Sequence, residues 1–336
     1  MSSMLPGNFS LGSLSPADEP PNIYWKANIL THAETQPQPN AVVWEKSTWR
    51  DYFVLAKPRI TLMILMTVAV AIVFAGRILD VSVAPLVWIS AMIGTSMVAA
   101  SASVLNQWYE RDRDSKMPRT QKRPLPSGRL TTSEASVFGW LLFVAGIALL
   151  YLGTNATAVA VSFATWFIYC WVYTPMKVWS WWNTAVGTLP GALPVMIGWT
   201  AAGGSLDSWK AWALTGIVIL WQFPHFMAIA WLFKDQYSQA GFRMLTREEP
   251  TGLAAGWHAV IPAMLLIPLS ILVLDPNSIA TWAVTLPAVL IASLQTWVSI
   301  KFLMQRDNLT AKKLLRTSLL FLPAIFLLVV LRWGLL

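Results

Sequence analysis

Charge is scarce in this chain of 336 residues, of which only 12% are Asp, Glu, Lys or Arg. A soluble domain carries about 25% charged residues, so the composition argues against a water-soluble globular protein. Cysteine is scarcer still, because Cys170 is the single one and lies inside an apolar run. One thiol excludes an intrachain disulfide framework.

Apolar residues make up 56% of the chain and come in long blocks. About 18 or more such residues cross the ~30 Å of membrane hydrocarbon at ~1.5 Å per helical residue. Nine segments meet this length: 60–79, 83–105, 136–153, 157–174, 184–202, 211–232, 255–274, 279–303 and 315–334. The sequence therefore predicts an all-α polytopic membrane protein, a bundle of nine transmembrane helices around a cytoplasm-facing cleft.

Residues 1–45 differ from the rest, since they are rich in Pro, Ser, Asn and Gln and contain no long apolar run. This composition predicts a disordered tail, followed by a transmembrane domain over residues 46–336. The tail has no apolar signal-peptide core, and its acids and few arginines argue against a mitochondrial transit peptide.

Positive charge indicates how the chain crosses the membrane. With the N-terminus in the cytoplasm and nine spans, 21 of the 24 Lys and Arg fall on the cytoplasmic side, and Arg77, Lys210 and Arg332 fall outside. This asymmetry places the C-terminus on the opposite side. We therefore interpret the net charge of +8 as orientation in a lipid bilayer, with no nucleic-acid partner.

A dense charged stretch, "NQWYERDRDSKMPRTQKRPLPSGR", begins at Asn106 between two apolar runs. Asn106, Glu110 and Asp114 are spaced by four, so they lie along one face of a helix that leaves the membrane. Asp112 falls on nearly the opposite face. Pro118 disfavours helix at the preceding residue, so the helix is predicted to end near residues 115–117.

The chemistry of this stretch suits a metal-bridged polyanion. Carboxylates beside an amide suit Mg²⁺, and Lys or Arg side chains suit phosphate oxygens. The stretch therefore predicts a site for a diphosphate bridged by Mg²⁺. The alternative is a solvated loop whose acids and bases pair locally.

A second charged segment, "WLFKDQYSQAGFRML", follows the sixth predicted span on the same side of the membrane. It carries Lys234, Asp235, Tyr237 and Arg243. Two such segments on one face are predicted to oppose each other across a cavity and clamp the metal–diphosphate between them.

Three segments carry a family resemblance: the stretch from Asn106, "YTPMKVWSWWNTAVGTLPGALPVMIGWTAAGGSLD", and "WQFPHFMAIAWLFKDQYSQAGFRML". Together they resemble the UbiA superfamily of intramembrane prenyltransferases, and within it the haem O synthase branch, over roughly residues 50–330. The chain departs from the superfamily pattern at Glu110, where many members have Asp. It departs again at Gln239, where the second motif usually has another acid.

The resemblance implies a reaction in which farnesyl diphosphate, haem B and water give haem O and diphosphate, with Mg²⁺ as the cofactor. On this basis Glu110, Asp114 and Asp235 are assigned to Mg²⁺, and Asn106 is a neutral oxygen ligand or positioning group. The diphosphate candidates are Arg119, Lys122, Arg123, Lys177, Lys234 and Arg243. Trp108, Tyr109 and Tyr173 are aromatic candidates for stabilising the allylic cation.

Haem B needs a site of its own, and His225 in "WQFPHF" is the candidate haem contact. Histidine is the usual haem-iron ligand, although a histidine bonded to a backbone carbonyl or water is the alternative. His258, at the start of a predicted helix, is a weaker candidate. The resemblance also implies the inner membrane of a bacterium, and a haem A synthase or oxidase assembly partner that takes the product.

Two other functions fit part of the pattern. A UbiA-type enzyme with an aromatic or quinone acceptor would use the same acids and bases. A secondary transporter would also have many spans broken by Pro and Gly, but its polar groups would lie near the midplane rather than at one surface. Gly187, Pro190, Gly191 and Pro194 in the fifth span fit either close helix packing or a kink that makes room for a substrate.

Overall fold

A computed structural model describes residues 47–335, and all regular secondary structure within that range is helical. The predicted tail, residues 1–45, lies outside the described residues. The helices are α1 Trp49–Leu55, α2 Pro58–Ile78, α3 Pro85–Asp114, α4 Thr132–Gly153, α5 Ala156–Phe167, α6 Thr174–Trp179, α7 Asn183–Ala192, α8 Pro194–Ala201, α9 Trp209–Leu232, α10 Lys234–Gln239, α11 Leu245–Glu248, α12 Leu253–Leu274, α13 Ile279–Gln305 and α14 Asn308–Val330. Two π-helical segments, Ile168–Tyr173 and Leu331–Leu335, join α5 to α6 and follow α14.

Eight helical segments in the described range are long and apolar enough to cross a membrane. They are α2, α3, α4, the run from α5 through α6, α9, α12, α13, and α14 with its π-helical end. The remaining predicted span, 184–202, corresponds to the shorter pair α7 and α8. The predicted all-α polytopic membrane fold is confirmed.

The division between α7 and α8 has a local cause in the sequence. Pro194 begins α8 and Pro190 lies inside α7. Proline has no N–H to donate and its ring crowds the preceding turn, so it bends or breaks a helix. Leu193 alone separates the two helices, and its N–H still donates to Leu189 O at 2.9 Å. The span is therefore kinked rather than interrupted by a loop.

Close packing between α3 and α4 depends on glycine. A Cβ on Gly146 of α4 would lie 2.9 Å from the carbonyl oxygen of Gly94 in α3. The two backbones therefore approach more closely than any larger residue allows, which is typical of helix pairs in membranes. This contact holds α4 against α3, the helix that carries the acidic residues.

The length of α3 sets the position of the charged stretch. Its 30 residues span about 45 Å at ~1.5 Å per residue, about 15 Å more than the hydrocarbon thickness. Its last turns thus continue beyond the apolar part of the helix. The helix ends at Asp114 with Ser115 as its C-cap, next to the predicted end at residues 115–117.

Candidate active site

Three polar residues on one face of α3 are buried at the end of the helix. Asn106, Glu110 and Asp114 are at most 5% exposed, whereas the side chain of Asp112 is 80% exposed. The prediction from helical periodicity is confirmed for these four residues. Buried carboxylates are costly unless they are paired or bind a cation, so the partners of Glu110 and Asp114 define the site.

Each buried acid faces a base from another part of the chain. Glu110 Oε1 accepts a hydrogen bond from Lys177 Nζ of α6 at 2.8 Å. Asp114 Oδ2 accepts one from Arg123 Nη1, in the loop after α3, at 2.6 Å. Charge-assisted bonds of this length are strong, and they bring two predicted diphosphate-binding residues next to two predicted metal ligands.

Lys57, which the sequence did not single out, joins these residues. We call the set the charged cluster: Lys57, Asn106, Glu110, Asp114, Arg123 and Lys177. It precedes α2 with a left-handed φ of 50°, and its Nζ donates to Asn106 Oδ1 at 3.4 Å. Burial, together with the positive charges of Arg123 and Lys177, lowers the pKa of Lys57 to about 7. Crowded cations of this kind create a site of positive potential that suits a polyanion.

Nothing in the local spacing relates Lys57 to Asn106, because 49 residues separate them. The one available signal was the pair of bases in "KPR" at the start of the first span.

The acids of α3 fit a hard cation such as Mg²⁺. Asp114 Oδ1 is buried and has no hydrogen-bond partner among the described residues. Over residues 47–335, however, no three His, Cys, Asp or Glu side chains are grouped closely enough to hold a metal by themselves. Mg²⁺ typically takes one or two carboxylates and completes its shell with waters and substrate phosphates, so a set of only two acids is compatible with one ion.

The second charged segment contacts the first at the rim of the charged cluster, in the loop after α3. Arg119 Nη2 donates to Tyr237 OH at 3.1 Å, and its guanidinium lies 4.8 Å from the Phe233 ring. Asp235 lies in α10, is exposed and forms no ion pair in the described part of the chain. The two segments are therefore neighbours, but Asp235 is not grouped with the acids of α3.

The remaining predicted diphosphate-binding residues lie outside the cluster. Lys234 Nζ is 4.1 Å from the Trp231 ring, and Lys122 is exposed. Arg243 pairs with Glu248 at 2.9 Å and donates to Trp179 O at 3.2 Å. Of the predicted bases, Arg123 and Lys177 are thus the two that directly contact the acids of α3.

An apolar cavity of about 500 Å³ opens beside the charged cluster. Tyr173 connects the two, because it lines the cavity and its ring centroid lies 4.6 Å from Lys177 Nζ. Its ring fits because a Cβ on Gly187 would lie 2.5 Å from it. Pro190 and Pro194 line the same cavity, so the Pro- and Gly-rich span borders a cavity as well as packing against neighbouring helices.

His225 lines this cavity as well. Its Nδ1 lies 3.0 Å from Ser318 Oγ, and its ring stacks on Trp221 at 5.2 Å. His258 instead lies at a separate pocket of about 200 Å³, and its Nδ1 is 2.8 Å from Ala254 O. Within the described residues, His225 is thus the histidine at the main cavity.

Comparisons with known proteins agree with this architecture. Residues 63–328 match the model of the UbiA prenyltransferase family. A protein of Rhodopirellula baltica named protoheme IX farnesyltransferase is 42% identical, over 83% of this chain and 98% of its own length. The mitochondrial protoheme IX farnesyltransferase of Arabidopsis thaliana is 34% identical, over 82% of this chain and 63% of its own length.

Solved structures share the fold at low sequence identity. A digeranylgeranylglyceryl phosphate synthase has a TM-score of 0.65 at 16% identity, covering 85% of this chain and 99% of its own. A UbiA homologue from Archaeoglobus fulgidus, solved with GPP and Mg²⁺, has a TM-score of 0.59 at 15% identity. The match covers 83% of this chain and 99% of the homologue.

Proposed function

The chain belongs to the UbiA prenyltransferase family, and from this premise we propose that it transfers the farnesyl group of farnesyl diphosphate to a vinyl group of haem B, giving haem O and diphosphate. One observation carries the proposal. A buried cluster of acids and bases adjoins an apolar cavity that also exposes a histidine, and Tyr173 joins the cluster to the cavity. A polar headgroup, an isoprenoid chain and a porphyrin each find a matching surface there.

The diphosphate binds at the cluster. Lys177 and Arg123, with Lys57, whose protonated form a bound diphosphate favours, provide the positive charge that stabilises the leaving group as the allylic C–O bond breaks. Glu110 and Asp114, with Asn106 beside them, would hold Mg²⁺, and the ion would supply Lewis-acid neutralisation of the diphosphate. Asp235, exposed at the rim, would contact a Mg²⁺ ion that enters with the diphosphate.

The rest of the basic residues serve the approach to the site. They lie at the rim or in the adjoining loops, where they attract and orient the anionic headgroup. They are Arg119, Lys122, Lys234 and Arg243.

The farnesyl chain lies in the cavity, where burial of its methylene and methyl groups favours binding. The ring of Tyr173, next to Lys177, faces the carbon from which diphosphate departs and stabilises the developing cation. The haem vinyl carbon then forms the new C–C bond. Water adds to the resulting benzylic-type cation and loses a proton, so farnesyl diphosphate, haem B and water are consumed and haem O and diphosphate are formed.

The acceptor lies on the His225 side of the cavity, where a neutral imidazole is available to the haem iron. The charge distribution supports an N-terminus in the cytoplasm and a C-terminus across the inner membrane of a bacterium. Both substrates are amphipathic and reach the cleft through lipid. A haem A synthase or an oxidase assembly protein is the partner that receives haem O.

The proposal is tested by incubating the purified protein in lipid with haem B, farnesyl diphosphate and Mg²⁺, and measuring the product by mass. We expect haem O, with its formation dependent on all three additions. Parallel reactions with 4-hydroxybenzoate or a quinone precursor test the acceptor. A prenylated aromatic product, with haem B left unchanged, would contradict the proposal.

A further inference from the structure

Ser318 of α14 lies at hydrogen-bond distance from one ring nitrogen of His225 and from a backbone carbonyl of its own helix. Ser318 Oγ lies 2.7 Å from Leu315 O and 3.0 Å from His225 Nδ1. A hydroxyl has one hydrogen, and a carbonyl oxygen only accepts, so the serine hydrogen goes to Leu315. With the serine hydrogen on Leu315 O, His225 Nδ1 is the donor to Ser318 Oγ, and Nε2 retains a lone pair.

The same serine also fixes the orientation of the ring. The indole Nε1 of Trp221 donates to the backbone oxygen of Ser318 at 2.6 Å. Trp221 in turn stacks on His225 with 25° between the ring planes. Ser318 is fully buried, so α14 holds both the imidazole and the aromatic ring that lies against it.

The ring of His225 makes no other hydrogen bond within the described residues, and it lines the main cavity. A histidine that ligates a metal commonly donates its second ring N–H to a fixed acceptor, which sets the tautomer and makes the ligating nitrogen more basic. In this chain the acceptor is a serine whose own hydrogen goes to a backbone carbonyl, and such chains polarise each other.

We propose that Ser318 is a positioning residue for the acceptor, holding His225 in the tautomer whose Nε2 ligates the iron of haem B. The proposal rests on the proposed function and adds a residue on α14 that contacts neither the charged cluster nor the diphosphate. In the other tautomer, Nε2 would present an N–H to the iron and could not ligate it.

The test is haem B binding to the purified protein without farnesyl diphosphate, by titration of the Soret band and resonance Raman of the ferrous iron–imidazole stretch. Ser318→Ala is expected to weaken haem binding about tenfold and to shift the iron–imidazole stretch to lower frequency. Ser318→Thr keeps a hydroxyl that can bond the preceding turn, so it is expected to restore both. His225→Ala is expected to abolish the stretch.

Ser270→Ala is the matched control. Ser270 is fully buried in α12 and donates to Leu266 O at 2.7 Å, the same type of back-bond without a histidine. Its loss is expected to leave affinity and spectrum unchanged, which separates positioning from a general loss of stability.

Wild-type affinity and spectrum in Ser318→Ala, or a Thr variant as weak as the Ala variant, would overturn the role of Ser318 while haem O formation still supports the proposed function. A wild-type protein that binds no haem B would overturn both.

Discussion

At the scale of single residues, Asp112 and Asp114 show how position on a helix separates a functional acid from a surface acid. Both end the same helix, yet one side chain is 80% exposed and the other 1%. Within residues 47–335, Asp114 also keeps one oxygen, Oδ1, without a partner. That free oxygen distinguishes it from an acid that serves only an ion pair, because Arg123 already satisfies the other oxygen.

Asp114→Asn is therefore expected to lower kcat/KM at least about 100-fold, since a lost metal contact removes several kcal/mol of charge stabilisation. Asp112→Asn should keep turnover within about twofold. Haem O formation across a range of Mg²⁺ concentrations measures both variants, and haem binding reports the fold. Normal turnover in Asp114→Asn would reject the metal assignment.

Lys57 provides the second prediction at this scale. Lys57→Met removes a cation beside Asn106 and is expected to raise the KM for farnesyl diphosphate about tenfold, in keeping with the loss of one charged hydrogen bond. Lys116→Met, an exposed lysine in the loop after α3, is the control. Equal effects of the two substitutions on KM would mean that Lys57 contributes only to the overall positive charge of the protein and makes no specific contact with the diphosphate.

The sequence predicted those site residues whose positions follow from one helix. The spacing of Asn106, Glu110 and Asp114 reports on a face of α3, and the structure places all three on its buried side. Lys57 and Ser318 were not predictable in this way. Each enters the site through a contact with a helix that is distant in the sequence, and only tertiary packing creates that contact.

At the scale of elements, the kinked pair α7 and α8 shapes the cavity. Gly191 faces Gln222 of α9, whose Nε2 donates to Thr188 O at 2.9 Å and so ties the two helices together. A Cβ on Gly191 would lie 2.1 Å from Gln222 Oε1. Gly191 and Gln222 both line the cavity. Because residue 191 has no side chain, Gln222 can keep its place in the cavity wall and the cavity stays open.

Gly191→Ala is expected to displace Gln222, to destabilise the protein by about 1–3 kcal/mol as overpacking does, and to reduce turnover. Gly216→Ala on the same helix as Gln222 places its Cβ 3.1 Å from the flexible end of Leu269. That variant should keep or raise Tm, because alanine favours helix over glycine. Thermal unfolding in detergent compares the two, and equal Tm values would contradict the packing argument.

Hydropathy and proline content predicted these elements well. The length of the apolar runs predicted the spanning segments, because a helix needs about 20 residues to cross the hydrocarbon of a bilayer. The split of the fifth span into α7 and α8 was only one of two interpretations of its Pro and Gly residues. To choose between close helix packing and a kink beside a cavity, one must know what Gly187 and Gly191 contact. These contacts come from distant helices, so the local sequence does not reveal them.

At the scale of the whole molecule, the distribution of Lys and Arg predicts the direction of insertion. In a Cys170→Ala background, Ser115→Cys is expected to react only with reagents on the cytoplasmic side. Ser205→Cys, in the exposed turn between α8 and α9, should react from the opposite side. Labelling of intact cells with a membrane-impermeant maleimide measures both, and the reverse pattern would invert the topology and place the charged cluster outside.

The proposed function depends on Mg²⁺-assisted binding of the diphosphate headgroup at the end of α3, beside the cavity proposed for the farnesyl chain. The most direct measurement is the dissociation constant of farnesyl thiodiphosphate, an unreactive analogue, with and without Mg²⁺ and in the absence of haem. We expect Mg²⁺ to tighten binding to the wild type at least about tenfold, and to have little effect on Asp114→Asn. Equal affinity with and without Mg²⁺ in the wild type would contradict the account.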